Sequence, residues 1–286
     1  MIWVIYSLIS AFSSATTDTL SKKAMEKENQ YLILWVRLVY CLPFLMPLLI
    51  FIQIPELDFV FWSTILLLLP FEIIAEILYV QAIKISPLSL TIPFLSFTPV
   101  FLIFVSFFIL GELPTVIGVI GIILVAIGGY TLNLHRTSQG ILEPLKAIIK
   151  EKGSFYMLIV SFIFSITATL GKLAILHSSP TFFGAFYFIL LGTAFTPIAI
   201  VKSKKRFIDF FKISRNYFFI GFFFAVMVIC HCLAIQLVEV SYMISIKRAS
   251  LIFSVIYGWL IFKEENIKER FFGTLLMIIG MVLIIL

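Results

Sequence analysis

Ten runs of about twenty apolar residues, each bounded by Pro, Gly or charged residues, take up most of the 286-residue chain. They fall roughly at 2–21, 31–52, 59–82, 87–109 and 114–133, then at 154–176, 181–201, 216–237, 242–262 and 268–286. As a helix, a run of this length matches the ~30 Å hydrocarbon thickness of a bilayer. None shows the apolar/polar alternation of a membrane-barrel strand. Apolar residues make up 62% of the chain and charged ones 13%, against about 45–50% and ~25% in soluble domains. A soluble fold cannot bury that much apolar surface. The expected fold is an all-α, multi-pass membrane protein of ten transmembrane helices.

The first five runs resemble the second five. Thr17, Thr19, Leu20, Lys22 and Ala24 recur 150 residues later as Thr167, Thr169, Leu170, Lys172 and Ala174. Gln81 and Ser86 match Gln236 and Ser241 at an offset of 155, and Glu112, Gly121 and Gly128 match Glu264, Gly273 and Gly280 at 152. An odd number of crossings makes the copies enter the membrane from opposite sides, so these are two inverted five-helix repeats, a secondary-transporter design. The expected divisions are a first repeat over 1–133, an amphipathic linker over 134–153 with Ile141, Leu145, Ile148 and Ile149 at helical spacing, and a second repeat over 154–286.

Of the 21 Lys and Arg, all but Arg37, Lys172, Lys247 and Arg248 lie in loops after odd-numbered spans. The positive-inside rule puts those loops and the linker in the cytoplasm and both termini outside, in a cell (inner) membrane. It also accounts for the net charge of +6 without a nucleic-acid partner. Trp3, Trp35, Trp62 and Trp259 sit near expected span ends, as an aromatic belt requires. Cys41, Cys230 and Cys232 lie within apolar runs and read as packing residues. The first span begins at Ile2, with no cleavable targeting segment expected.

The four remaining cations share the membrane with Asp18, Glu72, Glu76 and His231. An ionisable group at the bilayer centre costs ~2.5–3.5 kcal/mol even on a lenient scale, so each is either paired or set along a substrate or proton path. Lys247 and Arg248 join a mobile ammonium to a planar fork, a combination suited to phosphate or carboxylate. With Lys172 and His231 they form a candidate substrate-binding pocket; the other reading pairs these cations with Glu72, Glu76 or Glu239. Glu72 and Glu76 share one helix face and are candidates for proton coupling, unless Arg37 neutralises one of them. Asp18 and Lys22, four apart, read as an exposed local ion pair.

Pro93 and Pro99 predict a kinked or broken fourth helix, with Thr91, Ser96 and Thr98 as candidate cavity lining. Gly118, Gly121, Gly128, Gly129, Gly273 and Gly280 read as close-packing residues of a core or a dimer face. No nucleotide-binding, metalloprotease or hydrolase motif occurs, and neither a cofactor nor a metal is expected.

In their order along the chain, Thr169-Leu170-Gly171-Lys172, Thr98-Pro99-Val100, Leu110-Gly111-Glu112 and the glycine-spaced helix after it resemble the drug/metabolite transporter superfamily, and within it the EamA-like ten-helix proteins. The resemblance spans essentially the whole chain. It implies symport, antiport or facilitated export of small metabolites through a central cavity. The Lys247-Arg248 pair is similar to the phosphate-holding pair of plastid sugar-phosphate translocators, whose further lysine on the fourth helix is replaced here by Leu95. The first helix resembles that of small multidrug resistance transporters, with Ser14 where those carry a proton-binding glutamate.

The expected function is secondary transport, not catalysis: alternating access for a small anionic or zwitterionic metabolite, with proton coupling as an option. A flippase or flippase subunit for a lipid-linked phosphate or glycolipid, and a non-transporting subunit or sensor, are the rival readings. The expected partners are the metabolite and membrane lipid, and the chain is expected as a monomer or homodimer.

Overall fold

Short polar residues at the ends of the apolar runs fix where helices start in the computed structural model, which describes residues 2–98, 100–101, 116–204, 215–237, 243 and 246–285. Helix α1 spans Ile2–Met25. Asn29 caps α2 (Gln30–Tyr40), its side chain accepting from the Tyr31 N–H at 2.9 Å. Helix α3 (Leu42–Phe51) follows directly. Asp58 caps α4 (Phe59–Ile85) through the Phe61 N–H at 2.8 Å. The four-residue α5 (Leu88–Thr91) runs into a 3-10 segment, Ile92–Phe97. Helix α6 (Val116–Thr131), a 3-10 turn at Leu134–Gln139 and α7 (Glu143–Lys150) lead to α8 (Lys152–Leu176), which Glu151 caps. Ser179 caps α9 (Pro180–Ser203); α10 (Arg215–Leu237), α11 (Ser250–Phe262) and α12 (Ile267–Ile285) complete the chain. Every regular element among the described residues is helical.

Gln30–Pro47, Phe59–Ile85, Lys152–Leu176, Pro180–Ser203 and Asn216–Ala234 are long and apolar enough to cross a bilayer. Three expected spans depart from one continuous helix. The second divides at Cys41, where Pro43 supplies no N–H to continue the ladder. The fourth tightens to 3-10 geometry around Pro93, as its prolines predict, and Ser161 of α8 donates to the Phe94 carbonyl within it at 2.8 Å. The ninth breaks into a turn at Arg248–Ala249, with i→i+3 bonds from the Ala249, Leu251 and Ile252 N–H groups. Nothing in the sequence marks that third break. Pro99, Leu110-Gly111-Glu112 and Glu239 lie outside the described residues, and the count of ten crossings rests on the sequence.

The halves interleave. Helix α1 packs along α10, and its counterpart α8 packs along α4, so each half's first helix seats on the other half's third. Helix α1 turns Ser7, Ser10, Ser13, Thr17 and Ser21 inward while Ile2, Ile5, Leu8 and Phe12 stay exposed. Small polar side chains let backbones approach and bond across: the Ser10 hydroxyl reaches the Met227 carbonyl at 3.1 Å. The glycine stripes are used up between α6 and α12: a side-chain carbon at Gly280 would sit 2.6 Å from the Gly121 carbonyl oxygen, and one at Gly128 2.7 Å from that of Gly273. They form an internal contact. Trp62 and Trp259 are exposed, as a belt requires, whereas Trp35 is buried and donates to Thr196 of α9 at 2.9 Å.

Candidate functional site

Polar side chains from both halves converge on a cavity of about 290 Å³. Its walls are stripes at helical spacing: Leu68, Glu72, Glu76 and Tyr79 on α4; Phe164, Thr167, Gly171 and Ile175 on α8; Phe224, Met227 and His231 on α10. Helix α1 adds Ser14 and Asp18, α2 adds Arg37, and α9 adds Phe183 and Tyr187, whose rings stack at 5.1 Å. Both broken segments reach the wall, the fourth through Leu95 and Thr98 and the ninth through Lys247 and Arg248. Ile175 and Pro180 carry the lining to the α8–α9 turn, on the face away from the basic loops.

Asp18, Glu72 and Glu76 face Arg37, Lys247 and Arg248 across this space, so charges of both signs are matched in number. Arg37 pairs with Asp18 at 3.3 Å, which corrects one expectation, while the Glu76 carboxylate attracts the same guanidinium from farther off. Asp18 is buried, not exposed, and it takes the Tyr79 hydroxyl at 2.6 Å on its other oxygen. Lys22 turns away from it and donates to the Ile83 carbonyl at 2.7 Å and to that of Ser86, where α4 ends in unpaired carbonyls.

Lys247 lies 3.3 Å from His231 Nδ1 and 3.5 Å from the Met227 sulfur. For the ammonium to donate, Nδ1 must be bare, which puts the ring proton on Nε2. No carboxylate of the described residues forms an ion pair with Lys247 or Arg248. Glu76 Oε2, Arg248 Nε, Thr98 Oγ1 and the Tyr187 hydroxyl are buried with no hydrogen-bond partner among the described residues. Unsatisfied buried groups cost ~1–3 kcal/mol each, more when charged, so donors and an acceptor aimed into one space favour a polar solute there.

Of the expected site residues, Lys247, Arg248, His231, Glu72, Glu76 and Thr98 meet at the cavity. Thr91 and Ser96 do not; their hydroxyls donate at 2.7 Å to the carbonyls of Pro87 and Pro93 within their own segment. The Lys172 side chain lies outside the described residues. The sequence reading missed Arg37, Tyr79 and Tyr187 as wall residues. Tyr79 carried a usable signal, since it continues the Glu72–Glu76 face by one turn.

On the basic face the helix ends are tied together. Ser86 donates to Glu151, which also accepts from the Ser154 N–H at 2.6 Å. Glu264 accepts from the Leu88 N–H at 2.7 Å and the Ser89 N–H at 2.9 Å, and Arg270 donates to the Ser89 hydroxyl at 2.8 Å. Arg270 also pairs with Glu264 at 3.6 Å, both side chains buried. These bonds join α4 and α5 of one half to α8, α11 and α12 of the other.

No curated protein matches the chain. The profile of the EamA-like transporter family matches it twice, over residues 1–134 and 151–286, and so takes in both halves and every described wall of the cavity. The chain is a membrane protein of the EamA-like transporter family, within the drug/metabolite transporter superfamily.

Proposed function

We propose that this chain is a secondary transporter that moves a small anionic or zwitterionic metabolite by alternating access. The observation that carries this reading is the Lys247–Arg248 pair: two cations at a helix break, on the wall of a cavity between interleaved halves, with no ion-pair partner among the described residues. They are the substrate anchors, with His231 orienting Lys247. Glu72 and Glu76 face the same space and are the coupling carboxylates, able to take up a proton as the cations engage an anion. The stacked rings of Phe183 and Tyr187 suit an apolar or planar substrate body. Leu95 in place of a third cation favours one anionic group over a phosphate held by several lysines.

The bonds among Lys22, Ser86, Glu151, Ser89, Glu264 and Arg270 close the basic face, which the positive-inside rule places in the cytoplasm of a cell membrane. Their release, with closure around Ile175 and Pro180, would turn the cavity over to that side.

The test is thermal stabilisation of the detergent-purified chain by a panel of phosphorylated, carboxylated and zwitterionic metabolites, repeated with Lys247→Ala/Arg248→Ala. A ligand that binds the folded state raises its stability. Stabilisation lost in the double variant is the expected result; equal stabilisation in both proteins would overturn the anchor assignment.

A further inference from the structure

We infer that Arg37 is a second anion anchor of the cavity, and that Asp18 holds its place in the empty carrier as an internal stand-in for the substrate's carboxylate or phosphate. This rests on the transport reading above and adds a residue from α2 to the binding machinery.

The geometry around Arg37 differs from that of a structural ion pair. An Arg–carboxylate pair built for stability is usually bidentate, with two parallel N–H···O bonds. Here the approach is a single one, Nη1 to Asp18 Oδ1 at 3.3 Å, and Nη1, Nε and Asp18 Oδ1 all lack a hydrogen bond among the described residues. The side chains are 5% and 2% exposed, so solvent does not supply the missing bonds. Burying a charge pair without completing its hydrogen bonds is unfavourable. The arrangement therefore keeps donor capacity in reserve.

Two features hold the guanidinium ready. It lies 5.3 Å from the Tyr79 ring and 5.2 Å from the Phe224 ring, which hold it in place while Nε and Nη1 keep unused donor capacity. Asp18 is tethered from the other side by the Tyr79 hydroxyl, so its carboxylate can stay with Tyr79 when Arg37 turns to another anion. Arg37, Asp18, Tyr79 and Phe224 all line the same cavity as Lys247 and Arg248. An entering anion thus exchanges one carboxylate for another at Arg37, and the fork is never left without a counter-charge.

The decisive variant is Asp18→Asn, which keeps an oxygen for the Tyr79 hydroxyl but removes the competing charge. Inorganic phosphate and benzoate are the probes, with thermal stabilisation of the full-length purified protein as the readout. Freed from its nearest competitor, with Glu76 still at a distance, Arg37 should bind either anion about tenfold more tightly in Asp18→Asn than in the native chain. Arg37→Lys, which retains the charge but loses the fork, should abolish that gain in the Asp18→Asn background. If the native chain responds to an anion through Lys247 and Arg248 but a folded Asp18→Asn protein binds no more tightly, Arg37 is a structural partner and this inference fails alone. If neither anion stabilises any of these proteins, the anion-transport reading fails with it.

Discussion

Pro93 and Arg248 occupy the same position in the two copies of the repeat, 155 residues apart, and the helix gives way at both. In the first copy proline removes a backbone donor and the segment winds as a 3-10 helix from Ile92 to Phe97. In the second, i→i+3 bonds run through Arg248 and Ala249 with no proline to enforce them. Helix irregularities at matching places in inverted repeats line the substrate site of many secondary transporters, where loosened backbone dipoles face the cargo. Here one break brings Thr98 and Leu95 to the wall and the other brings both cations.

Pro93→Ala should let the fourth segment regain regular bonding. Transport should slow severalfold while the apparent melting temperature holds or rises, since a helix-breaking residue costs up to ~3 kcal/mol where regular helix can form. Full transport activity in reconstituted vesicles would show that the 3-10 segment is merely tolerated.

Lys247→Met removes a half-buried cation that has no ion-pair partner among the described residues. Such a group is kept for function at a cost in stability, so the variant should melt higher, by the equivalent of about 1–2 kcal/mol, and lose its response to anionic ligands. Lower stability, with ligand response intact, would assign Lys247 a structural role through His231 and Met227.

The tied ends on the basic face can be probed with a native reporter. Cys232 lies on the cavity wall and is partly exposed. In a background with Cys41→Ser and Cys230→Ser, a membrane-impermeant maleimide should label Cys232 slowly from the basic face. Lys22→Met combined with Glu264→Gln removes the charges that hold Ser86 and Ser89, and should speed that labelling about tenfold, as a shift of ~1.4 kcal/mol between two states would. Unchanged labelling would show that other contacts keep this face shut.

At the opposite face, the Phe61 N–H holds the Asp58 carboxyl below its ordinary value, with further help from His177 at 2.6 Å. A depressed carboxyl contributes stability in full above the unfolded value of ~3.9, and loses it as pH falls through the folded value. Asp58→Asn retains a capping oxygen but not the charge, so it should unfold somewhat more easily near neutral pH, and the acid-induced loss below pH ~4 should become shallower. Melting curves taken across that range decide it; identical acid sensitivity would place the effect elsewhere.

Gly280→Ala puts a methyl group against the Gly121 carbonyl and should destabilise by about 1–3 kcal/mol, with no change in ligand affinity once folded. A neutral effect on melting would mean that α6 and α12 can separate freely.

Span positions, duplication and the break at Pro93 were legible in the sequence because each follows from local chemistry: hydropathy, repeat spacing and a missing N–H. The gathering of Glu72, Glu76, His231, Lys247 and Arg248 was partly legible, since ionisable groups within apolar runs are few. What the sequence concealed was pairing across helices. Asp18 and Lys22 sit four apart, the textual signature of a local ion pair, yet Asp18 joins Arg37 across a helix contact and Lys22 satisfies carbonyls 61 and 64 residues away. One-dimensional spacing ranks near neighbours first, and a buried charge takes whichever partner the packing delivers. Trp35 was misread for the same reason: depth along a helix is periodic in sequence, but the side facing a neighbour is set by that neighbour.

The interleaving of the halves has a consequence for how the protein comes into being. Helix α1 leaves the ribosome long before α10, yet the surface that covers its serines arrives with α10, and the Ser10–Met227 bond closes over 217 residues of chain. During synthesis, α1 therefore waits in the bilayer or its insertion machinery with a polar stripe uncovered, and α4 waits likewise for α8. A chain cut short before α10 should therefore expose a polar seam to lipid, a natural mark for quality-control proteolysis.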